Sequence, residues 1–180
     1  NRIAQGYIFT GPRGVGKTTT ARILSMAMNA EGGPTSDFDS NSEISKEISG
    51  GRSLDVIEID GASNRGIEEI RNLREQIKFS PMNCTYKVVI IDEVHMLTNQ
   101  AFNALLRTLE EPPVHGKFIF ATTDIHKVPA TIISRCQRFD FNRISINVIV
   151  QRVDFILKSE GIESDSESIY LIAKKADGSM

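Results

Sequence analysis

The sequence predicts an α/β fold: a mostly parallel, five-stranded sheet flanked by helices, followed by the start of a small helical lid domain. Three observations carry this. Short runs of β-branched and aromatic residues alternate with stretches of helical periodicity. Two of those runs, KVVIID at 87–92 and KFIFAT at 117–122, are nearly continuous in apolar residues, as strands covered on both faces must be. After Asn142 the alternation stops and only helical patterns follow.

The elements follow in order. YIFT at 7–10 reads as the first strand, and residues 17–29 as the helix behind it. A polar insert over 30–51 precedes the second strand, DVIEID at 55–60. Residues 67–79 form the next helix and 87–92 the third strand. Over 100–109, Ala101, Leu105, Leu106 and Leu109 share one helical face, with Asn103 and Arg107 opposite. The fourth strand is 117–122, a short helix spans 129–134, and RFDF at 138–141 is the fifth strand. Beyond it, Ile146, Ile149, Val150, Val153, Ile156 and Leu157 make one helical face, and Ile169, Ile172 and Ala173 another. The expected organisation is therefore a domain over 1–142 and a truncated helical lid over 143–180. Right-handed crossovers would place phosphate ligands at the carboxyl ends of the strands.

Composition narrows the function classes. At 180 residues and 40% hydrophobic, the chain can bury one proper core and part of another. A formal net charge of -2 argues against a protein that coats nucleic acid, though not against a local basic patch. Cys84 and Cys136 are too few for a disulfide framework and belong to no C-x-x-C pair, which points to a reducing, cytoplasmic setting and inert thiols. No run approaches the roughly 20 apolar residues of a membrane-spanning helix, so no membrane partner is expected. The missing initial Met and the stop at Gly178-Ser179-Met180 suggest a piece of a longer protein.

Two motifs carry chemistry. GPRGVGKT at 11–18 fits G-x-x-x-x-G-K-[ST], follows a strand and opens a helix. Gly11, Pro12, Arg13, Gly14, Val15, Gly16, Lys17, Thr18 and Thr19 would line a cradle of inward-facing N–H groups at a helix N-terminus. Lys17 would reach the β- and γ-phosphates of ATP, and the Thr18 hydroxyl would ligate Mg²⁺. Asp92 and Glu93 follow the most apolar strand; Asp92 could hold the Mg²⁺ and Glu93 activate water, although such a pair can also be a solvated turn. Thr122, Thr123 and Asp124 end another strand and either touch the γ-phosphate or merely terminate it. Arg135, on physical grounds alone, reads as a surface arginine. His95, His115 and His126 are isolated in the sequence, without the spacing of a metal triad or a catalytic relay.

Taken together, GPRGVGKT, DVIEIDGASNRGIEEIR, KVVIIDEVHMLTNQAFNALLRTLEEPP and FATTDIHKVPATIISRCQRF resemble, in sequence and order, the AAA+ clamp-loader ATPase family of bacterial DNA polymerase III, its gamma/tau subunits. The resemblance implies an AAA+ P-loop nucleotide hydrolase, with Walker A and Walker B motifs at 11–18 and 88–93. It implies a subunit of a pentameric ring that loads a sliding clamp onto primer-template DNA within the polymerase holoenzyme, ATP binding closing the assembly and hydrolysis releasing it. Arg135, in the SRC motif, would then be an arginine finger acting in trans, and Thr123 the sensor-1 residue, ahead of Thr122. Arg65 and Lys127 would be DNA-phosphate contacts.

Other readings are a nucleotide-binding scaffold subunit of the same ring, or another AAA+ nucleic-acid motor such as a branch-migration helicase. Intact Lys17, Thr18, Asp92 and Glu93 oppose the first; SRC and the ASN-x-G segment oppose the second. The family's sensor-2 arginine and most of its adenine-gripping segment would lie outside 1–180, so weak nucleotide binding and little hydrolysis are expected of this piece alone.

The family carries a zinc module with spacing C-x8-C-x2-C-x2-C after the P-loop helix; the corresponding positions here are Ala30, Asp39, Ser42 and Ser45. None supplies a thiolate, so no zinc is expected. Ser40 and Glu43 have capping-box spacing before a helix carrying Ile44 and Ile48 and closed by Gly50-Gly51, and the 31–39 half is expected to be mobile.

Overall fold

The computed structural model describes residues 3–180; the first two positions of the expected 1–142 domain lie outside them. Five strands form one sheet: β1 (Gly6–Thr10), β2 (Val56–Asp60), β3 (Lys87–Asp92), β4 (Gly116–Thr122) and β5 (Gln137–Asp140). All pairings are parallel, in the order β2-β3-β4-β1-β5. Helices α1 (Lys17–Met28), α2 (Glu43–Ser49), α3 (Ile67–Lys78), α4 (Asn99–Glu110) and α5 (Ala130–Ile133) surround it, and α6 (Ile146–Ser159) and α7 (Ser166–Lys175) follow.

Strand alternation divides the core into two layers. Ile8, Val89, Ile91, Phe118 and Phe120 point to the face covered by α3 and α4. Tyr7, Phe9, Val88, Ile90 and Ile119 point to the opposite face, under α1 and α2. The three central strands are therefore apolar at successive positions, because each residue enters one core or the other. The edge strands show the converse: β5 is exposed along its length and β2 only partly buried. On α3, Ile70, Leu73 and Ile77 make the buried stripe while Glu68 and Glu69 sit in the first turn. Burying each such aliphatic side chain stabilises the fold by about 1.5–3 kcal/mol.

On α4 the expected Ala101, Leu105 and Leu109 are buried and Asn103 and Arg107 exposed. Thr98 caps this helix, its hydroxyl accepting from the Ala101 N–H at 3.2 Å. Phe102 and Ala104 widen the stripe because α4 meets both the sheet and α3. Asp55, expected in β2, lies outside it: its buried carboxylate accepts from the N–H groups of Met82, Asn83 and Cys84 at 2.8–3.0 Å.

Three local expectations are corrected. The cap of α2 is Ser42, not Ser40; its hydroxyl accepts from the Ser45 N–H at 3.2 Å. The 31–39 half is tied down at two points, by the Thr35 N–H on the Ala27 carbonyl and by Phe38 against the α1 layer. In α6 and α7, Ile149, Ile169 and Ala173 are buried, whereas Ile146, Ile156 and Ile172 are exposed. Two helices packed on each other cover a single seam, narrower than the periodicity suggests.

Candidate functional site

The carboxyl ends of β1, β3 and β4 meet at one edge of the sheet, and the loop after β1 turns there into α1. Gly16 precedes that helix with φ 92, a left-handed conformation that a side chain would strain. It supplies no capping side chain, and the first turn of α1 carries no acid. The helix thus presents N–H groups and partial positive charge to whatever enters. Lys17, buried beneath the loop, donates to the carbonyls of Gly11 at 2.8 Å and Pro12 at 2.6 Å. Burial pushes its ammonium below the usual lysine range, against the opposing pull of Glu93 and Asp92. It forms no ion pair among the described residues, which leaves its charge for an anion.

Residues 13–20, Asp92, Glu93, Ile144 and Met180 line a cavity of about 780 Å³. The Thr18 hydroxyl donates to Asp92 Oδ2 at 2.6 Å, while Asp92 Oδ1 accepts the Glu93 N–H at 2.8 Å. A hydroxyl and a carboxylate converging on one point are hard oxygen donors of the kind Mg²⁺ takes, so the residues present fit that ion. Behind them, Arg22 pairs with Glu58 through two bonds of 2.7 and 2.8 Å, fixing α1 to β2.

Glu93 has φ 43, uncommon for a residue with a side chain. Its Oε2 accepts from the Thr123 N–H at 3.2 Å and the Thr123 hydroxyl at 2.9 Å. Gly61 explains how the backbone fits: its N–H donates to the Asp92 carbonyl at 2.7 Å, and a Cβ there would lie 2.8 Å from the Glu93 oxygen.

Of the predicted residues, the structure brings together Arg13, Gly14, Val15, Gly16, Lys17, Thr18, Thr19, Asp92 and Glu93 around the cavity, with Thr123 joined through Glu93; Gly11 and Pro12 do not line it and instead hold the Lys17 ammonium through their carbonyls. Arg135 does not line it; its guanidinium donates to Glu110 Oε1 and to the Thr131 carbonyl, both at 2.8 Å. Arg65 donates to the Ala62 carbonyl and Lys127 pairs with Asp124, at two separate exposed turns. The expectation that His95 is isolated is corrected: Nδ1 lies 3.0 Å from Thr122 Oγ1 and 3.2 Å from Glu93 Oε2. Thr122 sits on the neighbouring strand end, 27 residues on and beyond any local sequence signal, whereas Glu93 is only two residues back. His115 Nε2 instead meets the Ile77 carbonyl.

A parallel sheet with this phosphate-binding loop after β1, two acids at the end of β3 one strand removed, and a following helical pair defines an AAA+ P-loop fold. Solved structures agree: a DNA polymerase III gamma subunit-related protein of Thermotoga maritima has TM-score 0.57 at 23% identity, covering 97% of this chain and 54% of that one. The RuvB Holliday junction branch migration motor of the same organism has TM-score 0.67 at 17% identity, covering 97% and 50%. These likenesses establish the fold alone.

Sequence similarity establishes the family. The model of the family described as DNA polymerase III, delta subunit, matches residues 1–145, and the chain belongs to that family. It is 52% identical over 179 residues to the DNA polymerase III subunit tau of Bacillus subtilis, and 44% identical over 179 to that of Escherichia coli. To the subunit gamma of Buchnera aphidicola subsp. Acyrthosiphon pisum it is 49% identical over 179. Each alignment covers 99% of this chain, but only 32%, 28% and 50% of those proteins. The chain thus spans half or less of the length of these relatives.

Proposed function

We propose that this chain is the nucleotide-binding and hydrolysing part of a clamp-loader subunit, coupling ATP binding to opening of a sliding clamp and its loading onto primer-template DNA. The carrying observation is that Thr18, Asp92 and Glu93 converge on the cavity that the phosphate-binding loop lines. The N–H groups of 13–19 and Lys17 bind the phosphates; Thr18 and Asp92 would hold Mg²⁺, which would supply charge neutralisation at the phosphates. Glu93 orients the attacking water and takes its proton, and Thr123 fixes Glu93 from the neighbouring strand. Residues 1–142 form the ATPase core and 143–180 the lid. Similarity to tau and gamma subunits supports a place beside other subunits in a ring.

Arg135 belongs to the next subunit's site on this reading. Its pairing with Glu110, whose side chain is 51% exposed, holds the guanidinium at the surface, away from its own cavity. In the full-length protein reconstituted with partner subunits, clamp and primed DNA, Arg135→Ala should leave ATP binding near normal. DNA-stimulated turnover should fall by about 10³ or more, the range of arginine fingers. Unchanged turnover would overturn the trans assignment, and unchanged turnover in Lys17→Ala would overturn the ATPase reading itself.

A further inference from the structure

The Glu93 carboxylate is held asymmetrically. Both hydrogen bonds that it accepts go to Oε2, from the Thr123 N–H and the Thr123 hydroxyl, and His95 Nδ1 lies 3.2 Å from the same oxygen. Oε1 has no protein donor among the described residues. The third contact comes from a side chain only 9% exposed, on the short turn Val94–Met96 that follows Glu93.

The neighbours of that ring favour one tautomer. A carboxylate oxygen only accepts, so a bare Nδ1 lone pair 3.2 Å from Oε2 would be repelled. A proton on Nδ1 is therefore favoured there, and the hydrogen bond it makes runs to Thr122 Oγ1 at 3.0 Å. Thr122 is itself immobile: it is fully buried at the end of β4, and its hydroxyl oxygen accepts the Asp124 N–H at 3.0 Å. The ring is thus a strut between a rigid strand end and the acid next to it.

We infer that His95 is a positioning residue for Glu93: its Nδ1, tied to Thr122, stands against Oε2 and with Thr123 leaves Oε1 as the oxygen free to act as the base. The inference rests on the hydrolytic reading of the site. It separates His95 from a space-filling role, because what matters is a donor at the Nδ1 position. Asparagine places its amide nitrogen close to that position, whereas glutamine places its own nearer Nε2.

The test is steady-state ATPase kinetics of the full-length protein with its partner subunits, clamp and primed DNA, together with ADP affinity. His95→Ala and His95→Gln should lower kcat roughly tenfold or more, as expected when a general base loses its orientation. KM for ATP and ADP affinity should stay within about twofold, since nothing that touches phosphate has changed. His95→Asn should recover most of the turnover that alanine loses. If glutamine rescues as well as asparagine, or the loss falls on KM and ADP affinity, the positioning role is wrong. Glu93→Gln in the same assay separates the two claims: wild-type turnover there overturns the hydrolytic reading. Loss of turnover there, with wild-type kinetics in the His95 variants, overturns only the inference.

Discussion

Cys84 and Cys136 show how burial sets reactivity one side chain at a time. Removal from water pushes the Cys84 thiol up to about 11, helped by the nearby Asp55 charge, and burial alone pushes Cys136 up to about 12. Both thiols are therefore protonated at neutral pH, and the thiolate is the reactive form. Labelling with a disulfide reagent at pH 8 should be at least roughly a hundredfold slower in the native protein than after unfolding. Rapid native labelling of either residue would contradict this. The same shifts have a stability sign. The folded values lie above the ordinary 9.0, so the unfolded chain releases these protons first. Their contribution is intact below pH 9 and drains away as pH rises toward 11–12.

Among the elements, the insert between α1 and β2 sets side-chain hydrogen bonding where the resembling family has metal. Three of the four positions at the cysteine spacing touch one another: Ser42 donates to Ser45 Oγ at 2.9 Å, and Ser45 donates to the Asp39 carbonyl at 2.8 Å. Ser45 is almost fully buried, and Ile48 one turn on is in the core. These hydroxyls satisfy each other, and neither is a thiolate. Elemental analysis should therefore find no stoichiometric zinc, and a chelator should leave the melting temperature unchanged. A drop in melting temperature on chelation would refute it. The sequence was legible here only in part. The β3 and β4 runs announce themselves because both faces of those strands are apolar, and the phosphate-binding loop because its spacing is local. Ser40 has the capping-box spacing, but the hydroxyl that reaches a free N–H of the first turn is that of Ser42, and local spacing does not tell the two apart. Phe38 and Asp55 act on residues far along the chain, as His95 does on Thr122, and periodicity says nothing about such partners.

At the scale of the molecule, the helical pair is joined to the phosphate-binding loop at few points. The Met180 N–H donates to the Gly14 carbonyl at 2.9 Å, and within the helical segment itself the Ile144 N–H donates to the Gly178 carbonyl at 3.0 Å. Ile144 and Met180 face the same cavity as Lys17 and Thr18. A nucleotide in that cavity would bridge the sheet domain and the helical pair, because it would touch residues of both. A ligand that binds only the folded state at about 100 times its Kd stabilises by about 2.7 kcal/mol. Mg²⁺ and ADP should thus raise the melting temperature, and amide exchange should slow in α6 and α7 as well as in the loop. Ile144→Ser removes an apolar wall of the cavity from a partly exposed site, so it should weaken ADP binding by roughly tenfold, about 1.4 kcal/mol, with little change in the melting temperature of the free protein. Exchange that slows only in residues 11–19 would show that the two bodies respond to nucleotide separately. The Gly14 contact would then be a resting contact and not a coupling.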